Sequence, residues 1–157
     1  MPTTPRLRSL SLWDVNSGRE LRRLEGEIGQ LEHCALSGDG RRALAVSKDK
    51  MIGWWDTASG RILGQWQASR GTLTDCKLSA NGELTLTAFE ESALKLWETS
   101  SEVDIAYWAH DHSLVCCALS GDGRLAVAGD SDGGVHILDV VGMARATVIA
   151  TKGTGDA

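Results

Sequence analysis

Residues 34–40 read CALSGDG, and residues 117–123 read CALSGDG again. Between them, residues 76–82 give CKLSANG, a looser copy of the same phrase. A chain that repeats a phrase at even intervals reuses one structural unit, so the period around the phrase decides the fold. The pairs Trp13-Asp14, Trp55-Asp56, Trp97-Glu98 and Leu138-Asp139 fall 42, 42 and 41 residues apart. Cys34, Cys76 and Cys117 keep intervals of 42 and 41, as do the turn pairs Asp39-Gly40, Asn81-Gly82 and Asp122-Gly123. Trp66 and Trp108 stand 42 apart. Four independent markers therefore share one period.

Within one period, residues 31–66 divide into LEHCALS, GDGR, RALAVS, KDK, MIGWWD, TASGR and ILGQWQ. Each apolar segment is strand-sized and is closed by turn chemistry. Ser-Gly-Asp-Gly and Ser-Ala-Asn-Gly supply residues that tolerate positive φ, as a tight hairpin requires. A β-branched or bulky residue at Gly40, Gly82 or Gly123 is expected to strain the turn. Before each Trp-Asp pair, or its equivalent, the positions three and one back are Leu10 and Leu12, Ile52 and Trp54, Leu94 and Leu96, Val135 and Ile137. One strand face is thus apolar throughout, and the other carries the tryptophan with Ser11, Gly53, Lys95 or His136. Four-stranded antiparallel units repeating every 40 to 45 residues are the signature of propeller blades, so the fold class is all-β.

On these residues the chain resembles the WD-repeat β-propeller family, from about residue 6 to residue 149. The wording CALSGDGRRALAVSKDK followed by WWDTASGR is most similar to the bacterial and apoptosome-like propellers often attached to signal-transducing NTPases. The resemblance implies a flexible start at 1–5, a half blade at 6–26, blades at 27–68, 69–109 and 110–150, and a disordered tail at 151–157. About fourteen strands follow, three and a half blades, which leaves the ring open. In the family a His, a Ser or Thr, an Asp and the Trp of the third strand join in a hydrogen-bonded tetrad. The matching residues here are Asp49 and Trp55 in one blade, Thr87, Glu91 and Trp97 in the next, and His110 and Asp132 in the last; Trp13 holds the Trp position of the half blade. Glu27, Ala45, Ser69, Ala128 and Leu138 occupy the remaining positions, so no tetrad is complete and the blades are expected to be less stable than complete ones.

The 157 residues are 42% apolar and 24% charged, as in a soluble globular protein. A formal charge of -5 argues against phosphate-backbone binding, which needs clustered Lys and Arg. Charge is unevenly spread: residues 1–78 hold 12 basic and 9 acidic side chains, and residues 79–157 hold 4 and 12. No secretory signal and no apolar run of bilayer-spanning length is present, which predicts a cytoplasmic protein with reduced thiols and no membrane partner. Cys34, Cys76 and Cys117 are expected as small buried hydrophobes near the propeller axis, too far apart for a shared zinc, with Cys116 pointing to the opposite face. GDSDGG at 129–134 lacks the further acidic ligands of a calcium loop, and GTGD near the end lacks a phosphate-loop lysine. No catalytic constellation emerges, and no cofactor or metal is expected.

The reading that results is a non-catalytic interaction scaffold or adaptor with a protein partner. Its contacts are expected on the connections between fourth and first strands and between second and third: Gln30, Lys48, Arg70, Thr72, Glu90 and His112. Because an open arc bares an apolar sheet face at each end, self-association or completion by the rest of a longer propeller is also expected. The other reading is a sensor or regulatory fragment of a signal-transducing NTPase whose catalytic module lies elsewhere.

Overall fold

A computed structural model describes residues 9–68, 71–140 and 149–152. Strands β1 (Ser9–Asp14) and β2 (Arg19–Glu25) form a two-stranded sheet. Four-stranded sheets follow in chain order. The first comprises β3 (Leu31–Leu36), β4 (Arg42–Ser47), β5 (Met51–Asp56) and β6 (Ile62–Gln67). The second comprises β7 (Leu73–Leu78), β8 (Leu84–Phe89), β9 (Ala93–Glu98) and β10 (Val103–Ala109). The third comprises β11 (Leu114–Leu119), β12 (Leu125–Asp130), β13 (Val135–Val140) and β14 (Ile149–Lys152). All pairings are antiparallel between sequence neighbours, and among the described residues no helix is long and apolar enough to cross a membrane. The sheets touch along their first strands, β3 against β7 and β7 against β11, so they fan out from these inner edges as blades of an unclosed ring. Strand β14 runs to Lys152, with Thr151 and Lys152 paired with Leu138 and Ile137, and residues 153–157 of the expected tail lie outside the described residues. The expected flexible start at 1–5 lies outside the described residues.

The repeated phrase builds one hairpin three times. Gly40, Gly82 and Gly123 sit at φ of +72°, +74° and +72°, which a residue without Cβ adopts at no steric penalty. The Ser37 hydroxyl donates to Asp39 Oδ1 (2.6 Å) and accepts from the Arg42 N–H, while the Arg41 N–H donates to Asp39 Oδ1. Ser79 with Asn81, and Ser120 with Asp122, repeat the pattern. The hairpins are also tied to each other: the Asp39 N–H donates to the Ala80 carbonyl and the Ala80 N–H to the Gly121 carbonyl, each at 2.9 Å. A Cβ at Gly38 would lie 3.2 Å from Ala80 Cα, so the glycine at the second place permits this close approach.

Blades cover one another in chain order. Leu44, Val46 and Ile52 of the first full blade pack against Leu73, Cys76, Leu78 and Trp97 of the next. Leu84, Leu86, Leu94 and Leu96 pack in turn against Leu114, Cys117, Ala126 and Leu138 of the last. Leu24 of the half blade covers Trp55 and Ala45. The third-strand tryptophans therefore look back toward the preceding blade, and the apolar residues beside them look forward. Trp55 is 1% and Trp97 6% exposed, whereas Trp13, with no blade behind it among the described residues, is 54% exposed.

The expectation for the cysteines needs one correction. Cys76 and Cys117 are buried, but Cys34 is exposed. The half blade in front of it contributes only β1 and β2, and no inner strand lies over the Cys34 side of β3 among the described residues. Cys116 is exposed on the face opposite Cys117.

Burial, with the nearby Asp75 charge, pushes the Cys76 thiol up to about 12 and raises that of Cys117 as well. Iodoacetamide at neutral pH should label Cys34 and Cys116 in the folded protein and spare Cys76 and Cys117, as peptide mass mapping will show; equal labelling of all four would contradict the blade order. A Cβ at Gly40 would meet nothing within 4 Å, so Gly40→Val tests backbone conformation alone. Urea unfolding should give a loss of at least about 1–2 kcal/mol for Gly40→Val and a smaller loss for Gly40→Asn.

Candidate interaction surface

The connections named from sequence meet in pairs. The Lys48 N–H donates to the Gln30 carbonyl (2.7 Å), and the Glu90 N–H to the Thr72 carbonyl (2.8 Å). Ser131 and Ser113 form the equivalent pair in the last blade. Each second-to-third-strand turn then passes through a left-handed residue: Lys50 (φ 65°), Ser92 (φ 66°) or Gly133 (φ 87°). The result is a rim of three equivalent loop pairs at the strand ends opposite the Ser-x-Asp-Gly hairpins. Gln30, Lys48, Thr72, Glu90 and His112 are all exposed on it, and Arg70 lies outside the described residues. Just inside the rim an open depression of ≈ 630 Å³ is lined by Glu32, His33, Thr72, Leu73, Thr74 and Val115, from the inner strands of all three blades.

The tetrad positions form three different local networks. In the first full blade Ala45 offers no hydroxyl, and Trp55 Nε1 donates instead to the Glu25 carbonyl of the half blade (2.9 Å). Asp49 stays exposed beside Gly29. In the second, Trp97 Nε1 donates to Thr87 Oγ1 (2.9 Å), while Glu91 accepts the Thr72 N–H through both carboxylate oxygens. In the third, His110 meets Asp130 rather than Asp132. Asp130 ends β12 with its side chain 4% exposed, and its Oδ2 contacts His110 Nε2 (3.1 Å) and His136 Nε2 (2.8 Å). Its Oδ1 accepts the N–H groups of Asp132 and Gly134. The hydrogen bond from His136, with those from the Gly134 N–H, His110 and the Asp132 N–H, holds this carboxyl far below the usual range. Asp132 lies at the exposed turn tip and contacts His112 Nδ1 at 3.1 Å.

A second set of surfaces lies at the ends of the arc. The cross-strand pairs that face forward are Leu44 with Trp54 and Val46 with Ile52 in the first full blade, and Leu86 with Leu96 and Ala88 with Leu94 in the second. Their equivalents in the last are Val127 with Ile137 and Gly129 with Val135. Leu86, Leu94 and Leu96 are fully buried, whereas Leu125, Val135 and Ile137 are 41%, 62% and 46% exposed. The chemistry is the same, but among the described residues no blade covers it. Trp13 and Leu21 are exposed at the opposite end.

Asp75 was not singled out in the sequence, yet it bridges two blades. Its Oδ2 accepts the Cys117 N–H across the interface (3.0 Å), and its Oδ1 accepts from Lys77 Nζ (2.6 Å) and the Cys76 N–H. Partial burial works to raise this carboxyl, but the Lys77 hydrogen bond and charge and the two backbone donors outweigh it, and the net shift is downward.

Residues 104–139 match the family described as WD domain, G-beta repeat. The matched stretch runs from β10 into β13 and so spans the junction of the last two blades. Comparison with curated proteins gave no match. The antiparallel blades, the open ring and this match are together consistent with an incomplete WD-repeat propeller.

Asp75→Ala strands the Cys117 N–H at the blade interface and should cost about 1–3 kcal/mol in urea unfolding. Because the folded-state pKa of Asp75 is depressed, its contribution is complete above the unfolded value near 4 and fades as pH falls through the folded value. The stability gap between the wild type and Asp75→Asn should therefore narrow as pH falls below about 4 and on through the depressed folded value; a gap that stays constant would show that the carboxylate charge is not what holds the contact.

Proposed function

We propose that the chain is a non-catalytic protein-interaction module, and that a second copy of itself covers the bare sheet faces at the ends of its arc. WD repeats usually serve as protein-interaction scaffolds, which supports the general class of the reading. The observation that carries the finer part is the exposure of Leu125, Val135 and Ile137 at positions whose equivalents in the preceding blade are buried. An apolar face of a few hundred Å² is worth on the order of 10 kcal/mol when covered, at roughly 25 cal/mol per Å². The forward face of one copy and the backward face of another, with Trp13, have complementary roles in the blade-to-blade packing repeated inside the chain. Such a contact is heterologous, and a ring results where the rotation closes. Each copy occupies four sectors, one of them half filled, so two copies supply eight, within the blade numbers that propellers use. The basic early half and acidic late half favour this head-to-tail approach and quicken it. The loop rim then remains free for a further protein.

Sedimentation equilibrium at micromolar concentration should find a dimer in low salt that weakens, without disappearing, in 1 M salt. The double variant Val135→Glu, Ile137→Glu should be monomeric with unchanged β-sheet circular dichroism. A folded wild-type monomer under both salt conditions overturns the reading.

A further inference from the structure

We infer that His110, Asp130 and His136 form a binding site for a single divalent zinc-type metal ion, which clamps the last blade to the end of the preceding one. Their ligand atoms, two imidazole nitrogens and one carboxylate oxygen, all lie within 4.8 Å of one another. This donor set is one that zinc and its neighbours in the first transition row take. Metal bonds of about 2.0–2.2 Å in a tetrahedral arrangement separate ligand atoms by about 3.3–3.6 Å. The Nε2 to Oδ2 distances of 3.1 and 2.8 Å open by about 0.2–0.8 Å to reach that separation, a shift within reach of side-chain rotation, and no pair of ligand atoms starts more than 4.8 Å apart. In the metal-bound form each imidazole is neutral and carries its proton on Nδ1, leaving Nε2 to ligate.

The surroundings hold the ligands in place. Asp130 Oδ1 is fixed by the N–H groups of Asp132 and Gly134, so Oδ2 is the oxygen left to face the imidazoles. Trp108 stacks on His110 at 5.1 Å and 13° and lies tilted against His136 at 5.3 Å. Opposite His136 across the ladder stands Ala128, whose single methyl leaves room for the ring. The equivalents of His136 in the other blades are Gly53 and Lys95, so the second imidazole belongs to this blade alone. It occurs where the tetrad lacks both hydroxyl and indole, at Ala128 and Leu138. The His110 and His136 side chains are 19% and 10% exposed, which gives water access to the fourth position. His110 follows β10 of the second full blade, whereas Asp130 and His136 belong to β12 and β13, so one ion ties two blades together.

The test uses the full chain, stripped with a chelator, in a Cys34→Ser, Cys116→Ser background that removes the two exposed thiols as competing ligands. Zinc chloride and cobalt chloride are the probes. One equivalent of Co²⁺ should bind, with visible absorption of a nitrogen and oxygen site, and Zn²⁺ should displace it. At about a hundred times Kd, Zn²⁺ should raise Tm by roughly 5 °C or more. His136→Asn should weaken binding at least about tenfold, with folding checked by circular dichroism. A measurement needing no change at the site is diethyl pyrocarbonate labelling: one equivalent of Zn²⁺ should protect His110 and His136 and leave His33 and His112 reactive. Absence of saturable binding, undiminished binding in a folded His136→Asn variant, or protection of His33 or His112 in place of the pair would overturn the assignment.

Discussion

A single four-stranded sheet has two faces and no interior, so a blade can bury apolar side chains only against another blade. Everything in this chain follows from that constraint. Three of the four forward-facing positions are leucine, isoleucine, valine or tryptophan in every full blade, the fourth being Val46, Ala88 or Gly129, and the backward face of each following blade brings a buried aromatic or aliphatic side chain to meet them. Only the second full blade, with Leu86 and Leu96 ahead and Phe89 and Trp97 behind, lies between two full blades among the described residues. In a structure of this kind the stability of each unit depends on its neighbours.

Polar groups set the spacing that the apolar faces exploit. The hairpin belt from Asp39 through Ala80 to Gly121 fixes adjacent blades at one edge, and Asp75 with the Cys117 N–H fixes them nearer the inner strands. At the opposite rim every blade meets the same problem, a polar cluster at the tetrad position, in a different way. Trp55 uses a backbone carbonyl, Trp97 a threonine hydroxyl, and the last blade two imidazoles around one carboxylate. The last of these has changed most from the repeat pattern, and its donor set is the one that suits a metal ion.

The architecture was legible because it rests on local, repeated features. Period, alternation and the Ser-x-Asp-Gly turns recur at fixed intervals, and each was written in residues whose backbone or face preference is strong. What was not legible depended on which neighbour lies over a residue. Cys34 carries the same phrase as Cys117 but is exposed, because its cover belongs to inner strands the half blade does not supply. Asp132 has the right place in the turn for the tetrad, yet Asp130, two residues earlier and buried, is the one that reaches His110. Asp75 and His136 carry no local motif at all; each acquires its partners through the fold. Of the loop residues, sequence spacing located the rim, while the backbone bonds that pair Gln30 with Lys48 and Thr72 with Glu90 required the blade geometry.

Native-state hydrogen exchange by mass spectrometry, at protein concentrations below any association, tests the mutual covering of blades most directly. Protection should peak in β8 and β9, which have blades on both sides, and decline toward β1 and β2 at one end and β13 at the other. Uniform protection along the chain, or slowest exchange in the end strands, would contradict the account.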